Sequence, residues 1–221
     1  HTIVPIANDV PYGTLTYLCN YVLILLTLPI YFLLVGFKVT SLKLFLVQRP
    51  EFAYLTLRFL NSILSLVMLY FLNHFLKKEV ENVKARLFLL VILFTNIITG
   101  TILHTGKMWV MSMLLVVISF YYLNNSLDSK LEDDKKVLSK NIFLSILFSF
   151  LAVSNFPLNF YALINIPILG YYYRKDSEVL FKILKFVCIG AVVYATLTIF
   201  NFEGIKNQII SVFTDYHPLI S

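Results

Sequence analysis

Charged residues are scarce in this sequence, and their scarcity excludes most classes of protein. Only 14% of the 221 residues are Asp, Glu, Lys or Arg, whereas a soluble globular domain carries about 25%. So few charges cannot cover a folded core with a surface that suits water, which excludes a soluble enzyme and a soluble nucleic-acid-binding domain. Disorder is excluded as well, because 20 Phe and 14 Tyr supply more apolar surface than disordered chains contain.

Cysteines and catalytic motifs are equally sparse. The two cysteines, Cys19 and Cys188, lie in separate apolar runs, and no Cys/His spacing typical of zinc sites is present. We expect two free thiols packed among lipid or helices. The sequence also lacks a P-loop, a GxGxxG fingerprint, an HExxH motif and a GxSxG elbow. No nucleotide, metalloprotease or serine hydrolase site is therefore indicated.

Hydrophobic residues, in contrast, make up 59% of the chain and gather in long runs. A membrane-spanning helix needs about 20 apolar residues, with a range of about 17–25. The runs cover residues 15–35, 52–76, 87–103, 109–123, 142–156, 158–173 and 179–200. The sequence therefore predicts an all-α protein, a polytopic transmembrane helical bundle of six to seven membrane helices.

Two local features bear on the number of spans. The fifth and sixth runs are separated by Asn155-Phe156-Pro157, which predicts a helical hairpin because proline interrupts the hydrogen-bonded ladder and biases Phe156 away from the right-handed helical region. The first run, residues 15–35, either spans the membrane or lies in its interface. Both options stay open at this stage.

Basic residues are distributed unevenly, although the net charge is +6. Most of them lie in the connections 77–86, 124–141 and 171–185. These are Lys77, Lys78, Lys84, Arg86, Lys130, Lys135, Lys136, Lys140, Arg174, Lys175, Lys182 and Lys185. The positive-inside rule predicts that these connections are cytoplasmic, which leaves 36–51, 104–108, 155–158 and the tail from residue 201 on the external side. The positive charge thus reports orientation rather than a nucleic-acid partner.

Arg58 and Asn61 are the sharpest candidates for a functional site inside a span, where polar groups are costly. Arg58 lies about 9 Å along the second run from Phe52, at 1.5 Å per residue, and Asn61 follows three residues later on the same helical face. The guanidinium either extends to the membrane interface or holds a phosphate or carboxylate through two parallel hydrogen bonds.

A second group of candidates lies in the short external turn HTGKMW, residues 104–109. His104 and Lys107 bring a titratable imidazole and a cation into one turn, where they are either solvated or bind a lipid phosphate. Trp109 is typical of an anchor at the membrane interface. Asp9 and Tyr12 precede the first run, and no acidic neighbour pairs with Asp9 for acid–base chemistry.

The layout resembles the GT-C fold glycosyltransferases, particularly the dolichyl-phosphate-mannose-protein mannosyltransferase-like family. The resemblance is carried by PYGTLTYL at residues 11–18, by the Arg58 segment LTLRFLNSILSLVMLYFL at 55–72, by HTGKMW, and by SNFPLNFYALINIPIL at 154–169. It implies transfer of a sugar from a polyprenyl- or dolichyl-phosphate donor to a protein, lipid or glycan acceptor on the external or lumenal face.

The resemblance also implies roles for individual residues. Arg58, His104 and Lys107 would hold the lipid phosphate, with Asn61 beside Arg58, and Tyr12 and Trp109 would line the surface for the lipid or sugar. No metal site or other cofactor site is indicated by the residues themselves, although the resemblance allows a divalent metal in the intact protein.

One departure from the family concerns the catalytic acid. Family members place an acidic motif in the first external loop, which here would fall at or before His1, and Asp9 is a poor substitute. We therefore expect an inactive fragment of a longer chain, one transmembrane domain with a lead-in at 1–51, a six-helix core at 52–200 and an external tail at 201–221. The parent would be a multi-pass protein of a bacterial or archaeal plasma membrane or of the ER membrane.

Two alternatives come from other functional classes. A transporter or channel fragment would need polar residues at the bilayer midplane and helices broken by Gly or Pro, for which the sequence offers Asn96, Asn165 and Pro167. A non-catalytic membrane subunit of polysaccharide assembly is barely distinguished from the transferase by the sequence.

Overall fold

The computed structural model describes residues 14–34, 36, 38, 50–95, 109–128 and 135–199, and within these ranges every regular element is a helix. The prediction of an all-α protein is confirmed for this part of the chain. The helices are α1 (Thr14–Leu34), α2 (Pro50–Glu79), α3 (Val83–Thr95), α4 (Trp109–Asp128), α5 (Lys135–Asn155), a 3₁₀ segment (Pro157–Ile164), α6 (Asn165–Tyr172) and α7 (Ser177–Ile199).

Four helical stretches among the described residues are long and apolar enough to cross a membrane. They are Arg58–Lys78, Val110–Asp128, Lys135–Asn155 and Ser177–Ile199. At 1.5 Å per residue they measure about 28–35 Å, which matches a hydrocarbon core about 30 Å thick. Their outward faces carry large apolar side chains such as Leu66 and Phe181, the latter 71% exposed, as lipid contact requires. These helices support the predicted membrane protein.

The first apolar run forms the continuous helix α1, of 21 residues. Its length, about 31 Å, suffices for a span, so the choice between a spanning and an interfacial helix stays open. Pro29 lies inside the helix without ending it. Cys19, also in α1, is a free thiol, as is Cys188 in α7, which confirms the prediction for both cysteines.

Contacts divide the chain into two compact units, residues 16–114 and mainly residues 115–221. In the first unit α2 and α3 form a hairpin whose turn is fixed by Asn82. The Asn82 Oδ1 accepts hydrogen bonds from the backbone N–H groups of Lys84 and Ala85, at 2.9 and 3.2 Å. Asn82 thus caps α3 by satisfying two N–H groups that its first turn leaves free. Lys77 and Lys78 lie in the last turn of α2, where cations interact favourably with the helix dipole.

In the second unit α5 is the central helix, and α7, the 3₁₀ segment and α6 all pack against it. Ile142 and Ile146 of α5 are buried against Leu169 of α6 and Ile183 of α7. Closest approach occurs at Gly190 of α7, since a Cβ atom there would lie 2.8 Å from Cε2 and 3.0 Å from Cγ of Phe150, and nearer still to Cδ2. Glycine at this position lets α7 approach the Phe150 ring.

The predicted corner between the fifth and sixth runs is confirmed. α5 ends at Asn155, Phe156 has extended backbone angles (φ −150°, ψ 107°), and Pro157 is the first residue of the 3₁₀ segment. Proline suits that position because its missing N–H would have no intrahelical partner there.

The sixth run is not one continuous α-helix. It forms the 3₁₀ segment followed by α6, and Asn159 within the segment has non-helical angles (φ −79°, ψ 15°). At about 2.0 Å per residue in a 3₁₀ helix and 1.5 Å in an α-helix, the two pieces together reach at most about 28 Å. An interrupted helix of nearly membrane thickness therefore stands beside α5.

Two of the basic connections meet at one end of the second unit. Lys135 at the start of α5 lies 3.6 Å from Glu178 at the start of α7, and the Tyr173 hydroxyl donates to the Ser126 carbonyl near the end of α4. The connections around 124–141 and 171–185 thus share one end, as the charge distribution requires. That this end is cytoplasmic stays a prediction.

Replacing Gly190 by alanine should destabilise the second unit by about 1–3 kcal/mol, because the added methyl group overlaps the Phe150 ring in a packed interface. Gly170→Ala is the matched control, since a Cβ atom at Gly170 meets nothing within 4 Å and alanine favours helix. Thermal unfolding of both variants in the same detergent measures the difference. Equal midpoints for the two variants would contradict the close packing of α5 and α7.

Candidate functional site

Four of the predicted site residues, Asp9, Tyr12, His104 and Lys107, lie outside the described residues. Trp109 is the first residue of α4, and its side chain is likewise outside the description. Of the predicted site, the structure therefore tests the placement of Arg58 and Asn61 alone.

Arg58 lies on an exposed side of α2, about 12 Å from the helix start at Pro50. Its side chain is exposed, between Leu55 and Phe59, which are 57% and 60% exposed. No carboxylate whose side chain the structure describes forms an ion pair with the guanidinium; Glu178, for example, pairs with Lys135 and Lys182. Arg58 thus presents a cation and its donors on an otherwise apolar surface.

Asn61 does not share that surface. Three helical residues turn the direction of a side chain by about 60° relative to Arg58, and Asn61 is only 2% exposed. The backbone carbonyl of each residue accepts a separate hydrogen bond within α2, from Ser62 Oγ to Arg58 at 2.9 Å and from Ser65 Oγ to Asn61 at 2.7 Å. The structure does not bring Arg58 and Asn61 side chains together into one site.

A cluster of polar side chains lies inside the second unit, and the sequence predictions did not include it. Asn165, at the junction of the 3₁₀ segment and α6, directs its Nδ2 at Ser145 Oγ and Ser149 Oγ, each at 3.2 Å. Ser145 Oγ donates to the Ser119 carbonyl of α4 at 3.0 Å, which ties three elements together. Asn165, Ser119, Ser145 and Ser149 are all fully buried. We call these four residues the polar cluster.

The polar cluster lies halfway along the helices that contribute to it. Ser145 is ten residues from either end of α5, and Ser119 is ten residues from the start of α4. Ten helical residues span about 15 Å, which is half the thickness of a hydrocarbon core. The cluster is therefore at mid-span depth if α4 and α5 cross the membrane. The sequence feature that could have indicated this cluster is the pair Ser145 and Ser149, which lie four residues apart in an apolar run.

Two tyrosines join the end of α6 to the end of α4. The buried Tyr173 hydroxyl donates to the Ser126 carbonyl, and the exposed Tyr172 hydroxyl donates to the Leu127 carbonyl at 3.3 Å. Burial, together with the neighbouring Tyr172 and Asp176, raises the pKa of Tyr173 to about 12. Both carbonyls belong to the last turn of α4, where intrahelical donors run out.

Within the described ranges, no group of three or more His, Cys, Asp and Glu side chains lies close enough to hold a metal ion.

Comparison of the chain with models of known protein families, with curated proteins and with solved structures finds no match. The geometry above is accordingly the basis for the functional proposals that follow.

Tyr173→Phe should lower stability by about 1–3 kcal/mol, because it leaves the Ser126 carbonyl buried without this donor. Tyr172→Phe is the control and should cost less, since its hydrogen bond is exposed. The folded pKa of Tyr173 lies above the ordinary value of 10.0. The stabilisation is therefore complete below pH 10 and disappears as the pH rises through about 12. Unfolding midpoints between pH 8 and 12 measure this, and the difference between wild type and Tyr173→Phe should shrink at the alkaline end.

Proposed function

We propose that this chain is part of a membrane glycosyltransferase that takes its sugar from a polyprenyl- or dolichyl-phosphate donor. The observation that carries the proposal is Arg58, exposed on α2 beside apolar side chains and without an ion pair to any carboxylate whose side chain the structure describes. A GT-C-like arrangement of six to seven membrane helices, with the reaction on the external or lumenal face, is part of the same proposal.

The chemistry of Arg58 fits the phosphate of a lipid-linked donor. A guanidinium presents its N–H groups in a planar fork that matches two phosphate oxygens. In a membrane the lipid chain of such a donor lies among apolar side chains, which Leu55 and Phe59 supply on either side of Arg58. Arg58 would then stabilise negative charge on the departing lipid phosphate, where a fixed cation lowers the barrier.

The other roles in the proposal belong to residues outside the described part of the chain. Lys107 and His104 would add cationic contacts to the phosphate, and Tyr12 and Trp109 would line the lipid or sugar.

Arg58→Ala in the full-length protein should lower sugar transfer from the lipid donor about 10- to 100-fold at unchanged expression, because a charged hydrogen-bond pair contributes about 1.5–3 kcal/mol. Arg58→Lys should recover part of the activity, since it keeps the charge but not the fork. Lys107→Ala should also lower transfer.

Arg174→Ala is the control for a general loss of positive charge. Arg174 lies over the Tyr171 ring at 4.4 Å, at the basic end of the second unit, and its loss should leave transfer unchanged. Wild-type activity in both Arg58→Ala and Lys107→Ala would overturn the assignment of these residues to the phosphate.

A second candidate function, transport or conduction across the membrane, is favoured by one specific observation. The polar cluster lies halfway along α4 and α5, and its Asn165 belongs to the sixth run, whose helix is interrupted at Asn159. Discontinuous helices with polar groups at the midplane are typical of binding sites in transporters. The glycosyltransferase proposal does not use these residues.

Ion flux distinguishes the second candidate from the first. The full-length protein, reconstituted in vesicles loaded with a dye sensitive to Na⁺ or K⁺, should conduct one of these ions if the polar cluster lines a pathway. Ser145→Ala and Ser149→Ala should then change the flux. Vesicles with protein that are no leakier than empty vesicles would remove ion conduction from consideration.

A further inference from the structure

Hydrogen-bond donors in the polar cluster are fully used. The Ser145 hydroxyl donates to the Ser119 carbonyl, and the Ser149 hydroxyl donates to the Ser145 carbonyl at 2.9 Å. The Nδ2 group of Asn165, which carries two protons, faces both serine oxygens. Because the hydroxyl protons already point to carbonyl groups, the serine oxygens can only accept from Asn165. In this arrangement the amide nitrogen faces the serines, which is the orientation consistent with those hydrogen bonds.

The oxygen of the Asn165 amide has no hydrogen-bond donor within the polar cluster. Asn165 Oδ1 is buried and has no hydrogen-bond partner among the described residues, and the Asn165 side chain is fully buried. An unsatisfied buried acceptor costs about 1–3 kcal/mol, so native proteins provide such groups with a partner. The cluster itself has no spare donor to supply one.

We propose that the polar cluster binds a monovalent cation of the Na⁺ or K⁺ class, with Asn165 Oδ1 as one of its ligands. The unused capacity of the cluster consists of oxygen lone pairs alone, on Asn165 Oδ1 and on the two serine oxygens. A cation satisfies such a group completely. A water molecule would donate its two protons but would find no donor in the cluster for its own oxygen.

The kind of cation follows from the ligands. Neutral oxygens from amide, hydroxyl and carbonyl groups replace the hydration shell of Na⁺ or K⁺ in membrane proteins. Divalent ions favour carboxylates, and the cluster contains none. The inference concerns binding and holds whether or not the protein moves ions or transfers sugars.

Thermal unfolding of the full-length protein in nanodiscs of neutral lipid tests the proposal. The probes are NaCl and KCl, each compared with choline chloride at the same ionic strength. One of the two cations should raise the unfolding midpoint by about 3–6 °C in a saturable way, as expected for a ligand that binds only the folded state. Asn165→Leu should abolish this rise.

Two further variants keep the test decisive should Asn165→Leu fail to fold. Asn165→Asp keeps an oxygen and adds negative charge, so the midpoint should depend more strongly on the cation than in wild type. Asn159→Leu is the control. Asn159 is also a buried asparagine of this unit, but it donates to the Ala152 carbonyl at 3.5 Å, outside the polar cluster. This variant should be less stable yet keep the full cation effect.

The same midpoint for the wild type in NaCl, KCl and choline chloride would overturn the proposal and leave water as the partner of Asn165 Oδ1. A cation effect that survives in Asn165→Leu and is unchanged in Asn165→Asp would overturn it as well, because the ion would then bind elsewhere.

Discussion

The amide of Asn165 holds the interrupted helix against α5, and much of the second unit depends on that contact. Its Nδ2 reaches two serines one turn apart on α5, and one of those serines reaches on to the backbone of α4. In an apolar medium each of these polar groups would cost free energy if it were buried without a hydrogen-bond partner. Joined, they tie three elements at the depth where water is least available to compete.

Apolar packing adds to the hydrogen bonds of the Asn165 amide in holding the second unit together. Gly190 allows α7 to approach Phe150 of α5, while Ile142, Ile146 and Ile183 fill the space on the basic side of that contact. At the end of the unit the two tyrosines bind carbonyls of α4 that lack intrahelical donors. Helices in lipid gain little from burying apolar surface against each other, so close approach and hydrogen bonds of this kind decide which helices associate.

The two functional candidates differ in their relation to this packing. Arg58 lies on an exposed surface of α2, whereas the polar cluster is buried where the helices of the second unit pack together.

Patterns that are local in the chain predicted the fold at the level of elements. Low charge and long apolar runs predicted membrane helices, and proline at 157 predicted the corner after Asn155, which the structure confirms. The sixth run was less predictable, because hydrophobicity does not distinguish a 3₁₀ segment from an α-helix. Arg58 was correctly expected in a helix, but its spacing from Asn61 suggested one face where the structure has an exposed and a buried residue. A separation of about 60° is compatible with either outcome, and the neighbouring helices decide between them.

The sequence by itself determined that this is a helical membrane protein and where its connections carry positive charge, since the transfer of apolar and charged groups between water and lipid depends on composition and order along the chain. Only the tertiary structure decided that Ser119, Ser145, Ser149 and Asn165 meet in one place. These residues are up to 46 positions apart, counted from Ser119 to Asn165, and each alone looks like an incidental polar residue in an apolar run. The functional interpretation of these residues depends on the distances between their side chains and on the balance of hydrogen-bond donors and acceptors among them. Both are defined only after the helices have packed.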